Sequence, residues 1–474
     1  MAVLLVAPVA RAETGLDAEG QVEALLRRLD RYRDGLERSA QRLSLPQALE
    51  IGLRDSPALR KAYADIDGAD WDRTAIQREW WPTLVVGNDD PGLLGWSTTR
   101  TREQVRTSRG WSETLTIEGG QAAVPNITLA WTFYDPTRAP RDAAAAARLR
   151  ARRLLFKVEV RDQILAIEQS YIALQETYSL EQSYRTLYLT IADLVKATDH
   201  QRGDDGARDQ LITEQLALLI QRIRTHEQVI VAANGLAETL ALPPGQLVMP
   251  SDPLTVRGQW PTPLQSTIEQ ALQLREEIQA SLALAGSDRW TARARERQRL
   301  PILSLEGEVS GSNQASSTAS LVGPGRGQRL YGQEIETQVG LGVNWIIFDG
   351  GILAAEAAAL RSQARRNLAQ ADLDRLTITR QVQNSHAALI NSLVLLEAAD
   401  DERRVARQAL AAASRDYRNG NGDATRVVQA SRALRDATES AVGAIRKHNR
   451  AIAALMRYAA RWPLTTAADG AGPR

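Results

Sequence analysis

The chain contains no cysteine. Disulfides, thiolate metal sites, a cysteine nucleophile and an acylated N-terminal cysteine are therefore excluded. An excess of one charge sign is missing too: 58 Lys and Arg face 57 Asp and Glu, for a formal net charge of +1. A surface that neutralises many phosphates needs a clustered basic excess, so nucleic acid is not an expected partner. Nowhere does the sequence reach the roughly 18 consecutive apolar residues of a membrane-spanning helix. Phe is scarce at 3 residues, although Trp reaches 10. A chain with these gaps meets a membrane through closed β-strands or at its surface.

Proline and glycine are absent from residues 142–202 and again from 352–417. A helix unbroken over the second stretch is a rod of roughly 100 Å. Along it Leu353, Ala357, Leu360, Ala364, Leu368 and Ala371 recur in steps of three and four. Val382, His386, Leu389, Leu393 and Leu396 continue the stripe. That is coiled-coil spacing.

The length of 474 residues leaves room for about three ordinary domains, but the pattern is a tandem duplication. At a constant offset of 219, Leu45, Leu49, Glu50, Leu53, Leu59, Trp71 and Pro82 match Leu264, Ile268, Glu269, Leu272, Ile278, Trp290 and Pro301. Trp131 and Asp135 match Trp345 and Asp349 at offset 214, and Gly203 matches Gly420 at offset 217. Each half reads as helix, strand, polar insert, strand, long helix, Gly turn, helix.

The strands alternate. In "EIETQVGLGVNWIIF", Ile335, Thr337, Val339, Leu341, Val343, Trp345 and Ile347 share one face, opposite Glu336, Gln338, Gly340, Gly342, Asn344 and Ile346. "PILSLEGEV" and "PNITLAWTF" alternate likewise, the second with Ile127, Leu129, Trp131 and Phe133 on one face. One apolar and one hydrophilic face is the pattern of a half-buried strand, and also of a barrel strand with lipid outside and water inside. The Gly-, Ser- and Thr-rich inserts at 88–110 and 311–332 read as solvated loops.

Asp135 and Asp349 each follow a strand and open a rod, where a carboxylate caps free N–H groups of the first turn. Pro136 fits the first helical position. Trp131, Phe133, Trp345 and Phe348 sit at that junction, a level that suits a membrane–water boundary. Taken alone, the junction also fits a soluble strand–helix connection with a core Trp.

No catalytic constellation is visible. The four histidines, His200, His226, His386 and His448, lack metal-ligand spacing, and His386 matches Tyr171 on an apolar stripe. Neither a cofactor nor a metal is expected, and the chain reads as a non-enzyme.

The opening helices ("L-x-x-A-L" at 45–49, "I-x-x-A-L" at 268–272), the Pro before the first strand of each half (Pro82, and Pro301 as "LP"), the repeated "W-x-x-[FY]-D" and the Gly turns, in this order, resemble the TolC-type outer membrane efflux proteins. The resemblance runs from about residue 43 to 460. "PGLLGWSTTRT" and "DPTRAPR" resemble the cyanobacterial version of that family. It implies an α fold joined to a membrane β-barrel: a homotrimer with four strands per chain in one twelve-stranded barrel, and a long α-helical coiled-coil barrel in the periplasm. The implied partners are a periplasmic adaptor, an inner-membrane pump of ABC, RND or MFS type, and outer membrane lipid. The implied function is the passive exit duct of a tripartite efflux or type I secretion system. Independently of the resemblance, four strands cannot close a membrane barrel, which needs about eight. A periplasmic adaptor or a coiled-coil scaffold is the alternative, distinguished by having no duplicated strand pairs.

On this reading residues 1–12 are a signal-peptide remnant, with an apolar run ending in Ala10-Arg11-Ala12, and 13–42 an N-terminal periplasmic segment. Repeat 1 spans 43–241, with strands near 82–87 and 123–134 and a turn near 203. An equatorial linker follows at 242–262, then repeat 2 at 263–460, with strands near 301–310 and 334–348 and a turn near 420. Residues 461–474 read as a disordered tail.

The resemblance makes Gly203 and Gly420 adaptor-contact turns at the periplasmic entrance. Tyr417 and Asp209 match the Tyr and Asp of the family's gate, whose Arg falls on Gly422. Two Asp rings of some members fall on Arg426 and Gln429, so cation block is not expected to carry over. Arg426 is expected to pair with Asp209, its counterpart in the other repeat.

Overall fold

The computed structural model describes residues 27–28, 30–32, 34–35, 38–88, 95–108, 110–123, 125–198, 205–318 and 328–461. Residues 1–12, the tail beyond Arg461, His200 and Gly203 lie outside the described residues. In chain order the elements are β1 (Gln41–Leu43), α1 (Leu45–Asp55), α2 (Pro57–Arg78), β2 (Thr83–Asn88), β3 (Gly95–Thr107), β4 (Gly110–Ala123) and β5 (Pro125–Tyr134). Then follow α3 (Arg138–Thr198), α4 (Asp205–Thr239), β6 (Val248–Pro250), α5 (Leu264–Leu274) and α6 (Glu276–Arg297). The last are β7 (Ile302–Thr318), β8 (Gln328–Asn344), α7 (Ile352–Arg418) and α8 (Ala424–Tyr458).

The chain divides into two compact units, each assembled from both repeats. One gathers Ala62–Lys157 and Glu276–Arg375; the other gathers Met1–Lys61, Val158–Arg275 and Leu376–Arg474.

The first unit holds the large sheet. β2 pairs with β5, β5 with β7 and β7 with β8, all antiparallel. β4 pairs with the outer part of β7, Asn313–Ser317, beyond the stretch taken by β5, and β3 pairs with β4. The sheet is therefore four strand positions wide, with β3 and β4 prolonging β2 and β5. This corrects the loop reading of the inserts: residues 95–107 and 110–123 are strand, while β7 runs to Thr318 and β8 starts at Gln328. Composition suggests loops, but "STTRTREQV" and "SETLTIE" carry the β-branched residues that favour a ladder. Thr107 opposite Gly110 closes a tight hairpin. At its other end β8 stops at Asn344, so residues 345–348 follow the strand and do not belong to it.

Register puts Leu84 opposite Leu129, Ile127 opposite Val309, Leu305 opposite Leu341 and Leu303 opposite Val343 on one face. Thr128, Glu308 and Gln338 align across the other face, as do Asn126, Ser310 and Glu336. The apolar face is bare within the chain: Val86, Val339 and Leu341 are 75%, 77% and 75% exposed.

Helices of this unit are laced at close range. Arg73 meets Asp142 between α2 and α3, Ser287 donates to the Ala144 carbonyl between α6 and α3, and Ser281 donates to Asp374 between α6 and α7. Along α7, buried positions recur every seven residues as Ala357, Ala364, Ala371, Ile378, Ser385, Ser392, Ala399, Ala406 and Ala413. A seven-residue repeat of mostly small residues brings backbones close and imposes a left-handed supercoil. Leu393, expected in the seam, is exposed. The seam is carried instead by this row together with Val382, Leu389, Leu410 and Tyr417.

In the second unit β1 pairs in parallel with β6. The Tyr171 hydroxyl donates to the Leu43 carbonyl at 2.9 Å, and Gln175 donates to the Asp252 carbonyl at 2.9 Å. His448 is fully buried between Ser392 Oγ and the carbonyls of Arg257 and Gly258, so its ring nitrogens are used structurally. No metal-ligand cluster occurs among the described residues. No helix among them is long and apolar enough to cross a membrane.

Candidate functional site

The strand-to-helix junction recurs in both repeats. Asp135 Oδ1 accepts from the Thr137 amide at 2.8 Å and from its hydroxyl at 2.7 Å, while Oδ2 accepts from Arg141 at 2.8 Å. Burial pushes the Asp135 carboxyl up, but the two Thr137 donors and the Arg141 guanidinium outweigh it and hold it below the usual carboxylate range. Asp349 accepts from the Leu353 and Gly351 amides at 2.9 and 3.0 Å, with Arg299 at 3.5 Å. Those two amides hold its carboxyl low as well. Pro136 lies in the turn before α3, which starts at Arg138, and not at the first helical position. The Asp135–Thr137 turn takes up the three residues between strand and helix.

The junction tryptophans act through their indole N–H groups. Trp131 Nε1 donates to the Trp80 carbonyl at 2.8 Å, and Trp345 Nε1 to the Arg299 carbonyl at 2.9 Å. Positions 80 and 299 are themselves equivalent at offset 219, so the duplication preserved the bond as well as the residue. Each bond ties a strand end back to the segment that precedes the repeat's first strand. Phe133 falls in a β-bulge between Thr132 and Tyr134, and its ring packs on Trp131 with centroids 5.9 Å apart. Phe348 is 88% exposed.

The helix that opens at Asp349, α7, ends in a Schellman turn. The Gly420 amide bonds to the Tyr417 carbonyl and the Asn421 amide to the Asp416 carbonyl, at 3.0 and 2.9 Å. Gly420 has φ +76°, the left-handed conformation this turn requires. Asp423 then caps α8 through the Thr425 amide at 3.1 Å. A Cβ on Gly422 would stand 2.8 Å from the Tyr417 nitrogen and 3.0 Å from the Asp416 carbonyl carbon. The position matching the gate arginine is therefore closed to a side chain while the turn keeps this form.

Tyr417 is buried in a cluster that joins Leu194 of α3, Leu211 of α4 and Val427 of α8. Asp209, Arg426 and Gln429 are exposed. The expected pairing of Arg426 with Asp209 does not form among the described residues, because α4 meets α8 through Gln210 and Glu214 instead. Thr425 Oγ1 lies 3.0 Å from Gln210 Oε1, and Glu214, fully buried, accepts from Ser431 and Arg432 at 3.0 Å each. Arg418 pairs with Asp193 on α3. Sequence carries no signal for these contacts, since each joins residues more than two hundred positions apart in the chain.

Solved outer-membrane channels share this fold. The outer-membrane channel OprN superposes with a TM-score of 0.65 at 17% identity, over 88% of this chain and 89% of its own. The Campylobacter jejuni CmeC outer membrane channel gives 0.66 at 13% identity, over 88% and 85%. The Neisseria gonorrhoeae MtrE outer membrane channel gives 0.63 at 15% identity, over 88% and 89%. The fold is thus that of outer-membrane channels. Residues 267–461, the second repeat, match the model of the outer membrane efflux protein family. No curated protein matches the chain significantly in sequence.

Proposed function

We propose that three copies of this chain form a passive exit duct through the outer membrane, serving a periplasmic adaptor and an inner-membrane pump in a tripartite efflux or type I secretion system. The carrying observation is a sheet four positions wide whose outer strands, β2 and β8, each pair on one side only among the described residues. Its apolar face is bare. Open edges do not persist in hydrocarbon, and about eight strands are the least that close a membrane barrel. Pooling four positions from each of three chains gives twelve and removes every edge. On this reading the turns at Gly203 and Gly420 meet the adaptor, and Tyr417, Asp209, Arg426, Gln429 and Gly422 line or shape the periplasmic tip. Trp131, Phe133, Trp345 and Phe348 mark the inner membrane–water boundary of the barrel.

The test is the mass of the detergent-purified protein, with conductance after insertion into planar bilayers. Three chains per particle and a conducting pore are expected. A stable monomer, or a protein that stays soluble without detergent and never conducts, would sink the proposal in favour of an adaptor or scaffold.

A further inference from the structure

Between α3, α7 and α8, within one unit, lies a groove of about 610 Å³ whose charge is all of one sign. Arg403, Arg407, Arg415, Arg418 and Arg435 line it, and among the described residues no Asp or Glu does. Three of the five are neutralised from outside the groove: Arg403 by Asp400, Arg418 by Asp193 and Arg435 by Asp436. Arg407 and Arg415 have no acidic partner among the described residues. The floor is apolar, built from Leu187, Leu410 and Leu434. In the wall sits Ser414, only 7% exposed, and its buried hydroxyl has no hydrogen-bond partner among the described residues.

These features have different causes and the same implication. An orphaned buried hydroxyl keeps its desolvation cost until something arrives to satisfy it. Unpaired guanidinium groups beside an apolar floor suit a ligand that brings both oxygen anions and an apolar body. Inorganic phosphate would fill little of the space and leave the leucines wet. We propose that this groove binds an amphipathic organic anion, its carboxylate, sulfonate or phosphate oxygens on Arg407, Arg415 and the Ser414 hydroxyl and its apolar body on Leu187, Leu410 and Leu434. Such a ligand bridges α3, α7 and α8 just before the Gly420 turn, where Arg418 and Asp193 already tie two of those helices. The proposal goes beyond the exit-duct reading and does not depend on it.

Pyranine, a trisulfonated pyrene, is a suitable probe because its charge keeps it out of neutral detergent micelles. Its fluorescence anisotropy is followed as the purified full chain is added at low salt. Saturable binding with one probe per chain is expected. Arg407→Gln with Arg415→Gln should weaken it about tenfold or more, the equivalent of about 1.4 kcal/mol. Ser414→Ala should weaken it less. Arg404→Gln, on the same helix but outside the groove, should leave it unchanged, and inorganic phosphate at matched ionic strength should not displace the probe. Arg407 and Arg415 are on exposed helix surface, so a melting curve like that of the unaltered protein is expected for the double variant. Absence of saturable binding, equal binding by the double variant, equal loss in Arg404→Gln, or displacement by phosphate would each overturn the proposal.

Discussion

A carboxylate placed where a strand gives way to a long helix meets N–H groups that no carbonyl can reach. Asp349 fills that role through Leu353, inside the first turn of α7, whereas Asp135 bonds Thr137, one residue before α3, and so holds the turn that leads into the helix. Asp135→Ala should cost about 1–2 kcal/mol, because it removes the carboxylate that holds Thr137 and Arg141, read as a lower midpoint in denaturant. The pH dependence follows in sign. The folded Asp135 carboxyl is held below its ordinary value, so its stabilisation is complete above the unfolded value of about 4 and is lost as pH falls through the folded one. Acidification from about pH 5 to 3 should therefore destabilise the unaltered protein more than Asp135→Asn; parallel melting curves for the two would refute this. At Gly422 the constraint is steric. Gly422→Ala should destabilise the chain by about 1–3 kcal/mol, because the new methyl meets backbone that cannot rotate away. An unchanged midpoint in denaturant would show that the turn can open to admit it. Asp349 is legible in the sequence as a cap, since position relative to strand and helix suffices; Asp135 is read there as a cap too, but the three-residue turn sets it one step short of the helix. The closure of position 422 to side chains is not, because it depends on how the turn folds back on Asp416 and Tyr417.

Periodicity carries most of the information about elements. Alternation in "EIETQVGLGVNW" assigns Leu341 and Val339 to one face and Gln338 to the other, and the register agrees. The β3–β4 hairpin escapes because Gly, Ser and Thr raise a loop signal that ladder pairing overrides. The bulge at Phe133 escapes because one extra residue leaves no mark on composition. The arginine groove escapes for another reason: its walls come from residues 183–190, 403–418 and 434–438, which only the packed helices bring together. The sheet assignment gives a sharp expectation. Leu341→Arg or Val339→Arg should impair membrane assembly, since a cation facing lipid at mid-bilayer costs about 2–4 kcal/mol. Gln338→Arg should be tolerated on the watery face. Heat-resistant oligomer on unboiled gels reads the outcome, and equal losses at both faces would mean the faces are misassigned.

For the whole molecule, duplication explains why each compact unit draws on both halves of the chain, and threefold assembly would repeat every residue around an axis. A single exposed Arg426 near the start of α8 then becomes a ring of three. Coulomb repulsion in a narrow aqueous passage lowers the local cation concentration and raises that of anions, an effect that salt screens over a Debye length of about 10 Å at 0.1 M. The neighbours do not cancel it within one chain, since no ion pair ties Arg426 to Asp209 among the described residues and Gln429 is neutral. Channels in planar bilayers should therefore be less cation-selective than relatives with acidic rings, and should resist block by trivalent cations added on the periplasmic side. Arg426→Asp should restore cation preference and introduce block at low salt, with both effects fading as salt is raised. Arg426→Gln should give an intermediate reversal potential, which separates the charge from the loss of a long side chain. Strong trivalent block of the unaltered channel would place Arg426 away from the passage. So would a reversal potential that Arg426→Asp fails to move.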